Sequence, residues 1–345
     1  MFEQSRPADA PVLRPFAFHG SGGEYFRIWI VNVALTIVTL GIFSAWAKVR
    51  SVRYFYGNTV LDGHSFEYHA VPWRILVGRG IAIVVFAAYS VVVKMGPLYA
   101  VAAVVLLFSA LPWFVVSSLR FNARNTSYRN LRFNFVGTYG GAFNVYVLWT
   151  IAGSISLFGL MPLAARAQRY FHVNNHRFGG KAFETQFSGW SIYKVYLFAF
   201  AVMIAAVVAA FALVGAKVVD PSQSRGAVLL IGLVPLILII VMGAYMRAAL
   251  YLLVVSNTTL DGHHKFETHI DPWEMTWIIV SNIALTLVTL GIFYPWARVR
   301  LTNYILDSTM LFAATSLDTF VSDTQGTQSA IGEEMASFFD IDIGL

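Results

Sequence analysis

One stretch of this chain is written twice, 250 residues apart. Asn32–Arg50 reads NVALTIVTLGIFSAWAKVR and Asn282–Arg300 reads NIALTLVTLGIFYPWARVR, with 14 of 19 positions identical. Identity at a constant offset marks a repeat architecture. The fold must therefore house the same apolar unit near both ends. A diverged third copy, 144–170, keeps a Gly (Gly159), a nearby Pro (Pro162) and a basic, aromatic end (Arg166, Arg169, Tyr170).

Seven apolar segments can be marked: 24–43, 75–95, 98–119, 142–165, 192–216, 227–255 and 274–294. Hydrophobic residues make up 57% of the chain and charged ones 12%, against about 25% charged in a soluble domain. Ordinary cytosolic and disordered classes are excluded. Several runs are long enough to cross ~30 Å of hydrocarbon. With no cysteine, disulfides, thiolate catalysis and Cys–zinc sites are excluded too. The first twenty residues carry no apolar core of a cleavable signal.

A second motif recurs in the linkers. NTVLDGHSFEYHAVPW begins at Asn58 and NTTLDGHHKFETHIDPW at Asn257, with looser copies at 125–133 and 174–185. Asp-Gly between apolar or aromatic flanks is a hairpin signal. The expected fold is thus a polytopic α-helical membrane protein with internal repeats and short β-hairpins in the long linkers. Its divisions are an N-terminal arm (1–23), repeat 1 (24–74), a helix pair (75–119), repeat 2 (120–191), a second helix pair (192–256), a hairpin with repeat 3 (257–306) and an acidic tail (307–345). The tail holds seven acids and no Lys or Arg. It reads as a flexible segment in which Ile331, Met335, Phe338 and Phe339 share one side of a short amphipathic turn.

The combination F-x-G-S-G-x-x-Y/F-F, T-L-G-I-F/Y-x-x-W-A-x-V-R, Y-F-x-G-N-T-x-L-D-G-x-x-F and a terminal F-D-I-D-I-G-L resembles the YjgN-like family of bacterial inner-membrane proteins. The resemblance covers nearly the whole chain and implies a multi-pass inner-membrane location. It transfers no catalytic or binding residue. The middle copy departs from the motif, lacking T-L-G-I-F and Trp-Ala.

Two topologies stay open. If all seven segments cross, the linker bases divide 12 to 8, a poor positive-inside bias. If segments 1, 4 and 7 enter and return, one side holds 17 bases and the other 3. That bias favours return, with Gly41, Gly159 and Gly291 as hinges. The difficulty is Lys48, Arg50 and Arg53 on the returning leg, since buried charge is costly in a membrane.

Asn32, Thr36 and Thr39, matched by Asn282, Thr286 and Thr289, share a helix face. They either line a polar path or join apolar helices by hydrogen bonds. Lys48, Arg50, Arg298 and Arg300 are candidates for anionic lipid or solute, or plain interface anchors. The histidines fit no metal spacing, and no catalytic, cofactor or nucleotide motif is present. The expectation is a non-enzymatic membrane scaffold or lipid-interacting envelope factor without cofactor. Its partner is the bilayer, anionic lipids above all, with a protein partner or second copy as a further option and no nucleic acid. The alternative is a small-solute transporter or channel built from broken helices.

Overall fold

A computed structural model describes residues 12–215, 225–314 and 321. Ten strands close into one antiparallel barrel: β1 Val12–Phe18, β2 Thr59–Leu61, β3 His64–Tyr68, β4 Thr126–Tyr128, β5 Leu131–Phe135, β6 His176–Phe178, β7 Lys181–Thr185, β8 Thr258–Leu260, β9 His264–Thr268 and β10 Thr309–Ala313. Every neighbour is consecutive in sequence except β1 and β10, which pair Val12 with Ala313 and seal the ring.

This overturns the expected helical class. The hairpins are not separate ornaments of long linkers; they are staves of a single closed sheet. Two staves come from stretches read as an arm and a flexible tail. Strands of three to seven residues leave little periodicity to detect, and closure satisfies every edge. The expected turn at Lys217–Ser222 and the amphipathic turn around Ile331–Phe339 lie outside the described residues.

The turn chemistry is what the sequence implies. Asp62-Gly63, Arg129-Asn130 and Gly179-Gly180 all take positive φ in two-residue turns, as hairpin twist requires. The extra residue of the last copy gives a three-residue turn, Asp261–His263. Along the strands, Phe66, Phe133, Phe183 and Phe266 face inward. Ser65, Glu67, Arg132, Asn134, Glu184, Lys265 and Glu267 are exposed outside. Apolar-in and polar-out is the reverse of a lipid-facing barrel, and the strands fall short of the ~9–11 residues that cross a bilayer. The barrel stands in water.

Between strands of successive β-turns the chain makes a helical hairpin, five in all: α1 Gly22–Val38 with α2 Ser44–Asn58; α3 Pro72–Val92 with α4 Pro97–Arg124; α5 Tyr139–Phe143 and α6 Trp149–Ile155 with α7 Met161–Asn174; α8 Gly189–Gly215 with α9 Arg225–Val255; α10 Pro272–Val288 with α11 Tyr294–Asp307. A π-helical turn, Asn144–Leu148, joins α5 to α6. Neighbouring hairpins pack through α1–α11, α9–α10, α7–α8, α4–α5 and α2–α3, so they too form a ring. All five leave and return at one end of the barrel.

An asparagine ends four of the five returning helices, Ser308 taking the place in the fifth. Asn58, Asn125, Asn175 and Asn257 donate from Nδ2 to the carbonyl four residues back. Their own carbonyls accept from His19, His69, Val136 and Gln186. One residue type thus stops a helix and stitches it to the start of its own hairpin's outgoing leg.

Among the described residues, four helices are long and apolar enough to cross a membrane, two in the second hairpin and two in the fourth. Exposed Trp73, Tyr139, Trp190 and Trp273 sit in the first turn of α3, α5, α8 and α10. An aromatic belt of this kind sits at the membrane interface. It puts the barrel just above the bilayer. The other three hairpins are shorter. Arg53 donates to the Tyr68 and Ala70 carbonyls at the barrel base. The tip of its hairpin, Ser44, is about 14 Å further at 1.5 Å per residue, near half of ~30 Å of hydrocarbon. The Tyr170 and Tyr304 anchors give similar depths for the third and fifth hairpins.

Candidate functional site

The tips of the first and fifth hairpins share their turn geometry and their threonine bonds. Leu40 and Leu290 take φ of 49° and 50°, and Gly41 and Gly291 take 92° and 93°. The Gly N–H donates to Thr36 O and Thr286 O, 2.7 Å in both. Thr39 Oγ1 donates to Leu35 O and accepts from Phe43 N; Thr289 does the same with Leu285 and Phe293. A turn immersed in hydrocarbon must satisfy its backbone internally, and these threonines do so. The third tip reaches the same shape through Leu157 and Phe158 at positive φ. There Phe158 N, rather than Gly159 N, bonds back to Gly153 O.

Above the tips, buried Asn282 donates to Ala297 O at 2.9 Å and buried Asn32 reaches Ala47 O at 3.5 Å. Their Oδ1 atoms accept from Arg300 and Arg50, 3.3 Å each. Each Asn–Arg pair clamps its own hairpin. Arg50 and Arg300 are not brought together.

Their neighbours are. Lys48 and Arg298, equivalent across the 250-residue offset, converge on one groove of about 590 Å³ between α1, α2 and the start of α11. Asn32, Thr36, Ser44 and Ser51 supply its polar wall; Trp29, Val33, Ile37 and Val52 supply its apolar wall. No carboxylate lines it. Arg298 lies 4.4 Å over the Phe55 ring and donates to Tyr25 Oη at 3.2 Å. Exposed Lys48 has no hydrogen bond or ion pair among the described residues. Asn282, Thr286 and Thr289 do not line the groove.

The sequence reading passed over a clasp at the barrel base. Tyr54 Oη accepts from Ser21 N at 2.8 Å and donates to Ser21 O at 2.9 Å. Tyr170 holds Phe187 and Tyr304 holds Asp271 through the same two backbone groups. Burial and the Glu24 carboxylate push the Tyr54 phenol up to about 12. The signal was available: Tyr54 and Tyr304 also match at offset 250. Among the described residues no group of three metal-ligating side chains occurs; His69, for example, bonds Ser127 Oγ at 2.7 Å.

A family described as bacterial protein of unknown function (DUF898) matches residues 13–338. The chain belongs to that family. Inner membrane protein YjgN of Salmonella typhimurium is 25% identical over 344 residues, covering 85% of this chain and 87% of its own length. Its namesake in Escherichia coli K12 is 36% identical over 121 residues, or 35% of this chain and 30% of that protein. No solved structure matches. These names agree with the four long apolar helices: this DUF898 chain is a bacterial inner-membrane protein.

Proposed function

We propose that this protein is a non-enzymatic lipid-interacting factor of the inner membrane, and that the groove between α1, α2 and α11 takes an anionic lipid headgroup. One observation carries the reading. Two cations from opposite ends of the sequence share a groove with no acid, on helices that dip into only one leaflet. An ionisable residue at that depth is a functional-site candidate by default. The apolar wall suits the first part of an acyl chain, and the Lys48 ammonium with the Ser51 hydroxyl beside it suits phosphate oxygens. Charge supports the side: apart from Lys94 and Arg225, the Arg and Lys of the described residues are on the barrel side of the long hairpins' tips, which supports a cytoplasmic barrel.

The test is binding of phosphatidylglycerol to the full chain in phosphatidylcholine nanodiscs, read by native mass spectrometry. A basic residue at an anionic surface contributes about 1 kcal/mol, so Lys48→Gln should weaken retention about fivefold. Lys94→Gln, at the far tip of the long hairpin, should change nothing. Equal loss from both variants, or from neither, would sink the proposal.

A further inference from the structure

Five phenylalanines, one from each pair of strands, form a belt inside the barrel: Phe16, Phe66, Phe133, Phe183 and Phe266. Successive rings are 6.4, 6.5, 6.3 and 6.2 Å apart. Each stands directly across the ladder from a more deeply buried residue, Leu61, Tyr128, Phe178, Leu260 or Leu311. The space between these rings is about 270 Å³.

On the helix side the belt opens into a second cavity of about 440 Å³, which shares Phe16, Phe133, Phe183 and Phe266 with the first. Its side walls are the last turns of α7, α9 and α11, with Val173, Val254, Val255 and Leu306. The volume is that of a small-molecule site, about 300–1,000 Å³. Protein interiors rarely leave apolar space of this size unfilled.

Most polar groups of the walls are already engaged. His172 Nε2 bonds Tyr146 Oη, and His176 Nδ1 bonds the His172 carbonyl. Thr258 and Thr309 donate back to Val254 O and Ile305 O. Burial pushes both histidines toward the neutral form. Three helix C-termini surround the space, and their partial negative charge disfavours an anion. Little is left over to recognise a polar ligand, one ring nitrogen on each histidine and the Tyr251 hydroxyl on an otherwise largely apolar wall, and water fills a cavity poorly when polar partners are few. The chamber lies at the level of the aromatic belt, where the bilayer begins.

We infer that this chamber is a binding site for the hydrocarbon chain of a membrane lipid, inserted from the bilayer and stopped by the phenylalanine belt. It is a second site, with chemistry opposite to that of the cationic groove. The chain ends against aromatic faces and aliphatic wall, and the headgroup stays outside in the interface.

The experiment uses the full chain in phosphatidylcholine nanodiscs doped with a phospholipid bearing a diazirine at one chain terminus. After irradiation, labelled residues are mapped by mass spectrometry. Label on Phe183, Phe266 or Val255 is expected, beside label on the outer positions Ile83 and Phe86. Val255→Trp fills the chamber and should abolish the inner label while the outer label stays; Val173→Phe, from the α7 wall, should do the same. Lys48→Gln should leave the inner label intact, which separates this site from the groove. Label confined to outer positions in the wild type, or an inner label that survives both filling variants, overturns the inference.

Discussion

The long and short hairpins start from the same aromatic belt and differ in almost everything else. The long pairs, α3–α4 and α8–α9, are apolar nearly all round; of the window in α3 that could span, none is buried within the protein. The short hairpins turn back near mid-bilayer and carry the clamps, the cations and the groove. Helices that cross fully can be plain, because the bilayer solvates every face. Helices that return must hold a polar leg inside the membrane, and each polar group there needs a partner. The molecule keeps its chemistry on the half-crossing elements and its anchorage on the others.

That contrast can be broken at several strengths. The all-or-none test is topology. Single cysteines at Ser65 and Lys181, on the outer turns of the barrel, should both react with an impermeant maleimide only after permeabilisation. A cysteine at Lys94 should react in intact cells. Opposite sides for Ser65 and Lys181 would destroy the picture of five returning hairpins. Next in size is packing. Tyr25, 1% exposed between Tyr54, Phe55 and Arg298, should cost about 3–5 kcal/mol on replacement by alanine. Phe86→Ala on exposed α3 should stay within about 0.5 kcal/mol. Denaturant unfolding in mild detergent compares them.

Two glycines should then differ in sign. Gly291→Ala forces a side chain into φ 93° and should cost about 1–3 kcal/mol. Gly78→Ala, where an added Cβ meets nothing within 4 Å, should gain about 0.5–1 kcal/mol from helix preference. The smallest effect is pH-linked. The folded Tyr54 phenol titrates near 12, above its ordinary value of 10.0, so its neutral form is favoured in the clasp. That contribution is whole below pH ~10 and fades as pH rises through about 12. Tyr54→Phe should flatten this alkaline loss; an unchanged alkaline profile would show that the clasp does not hold the first hairpin.

Much of this was legible in the residues. Asp-Gly and Gly-Gly marked the strand turns, and the 250-residue offset paired Lys48 with Arg298 before any coordinate placed them in one groove. The bias of 17 bases to 3 argued for hairpins that return. The barrel itself was not legible. Its closure depends on Val12–Phe18 meeting Thr309–Ala313, a contact between stretches with no repeat signature linking them. Phe158 shows the same limit on a small scale. A tip was expected at Gly159, yet a phenylalanine takes the left-handed place, because surrounding hydrogen bonds fix the turn more firmly than local preference does.

The pairing of β1 with β10 also sets a timetable. β1 is made before the five described membrane hairpins and β10 after them. Until residue 313 has emerged, one edge of β1 has no ladder partner and the row of staves stands open. Pairing across nearly the whole chain is slow, and an open edge invites association with other strands. Closure therefore comes last in biogenesis, and a chain interrupted before β10 leaves an open sheet that quality control can distinguish from a finished protein.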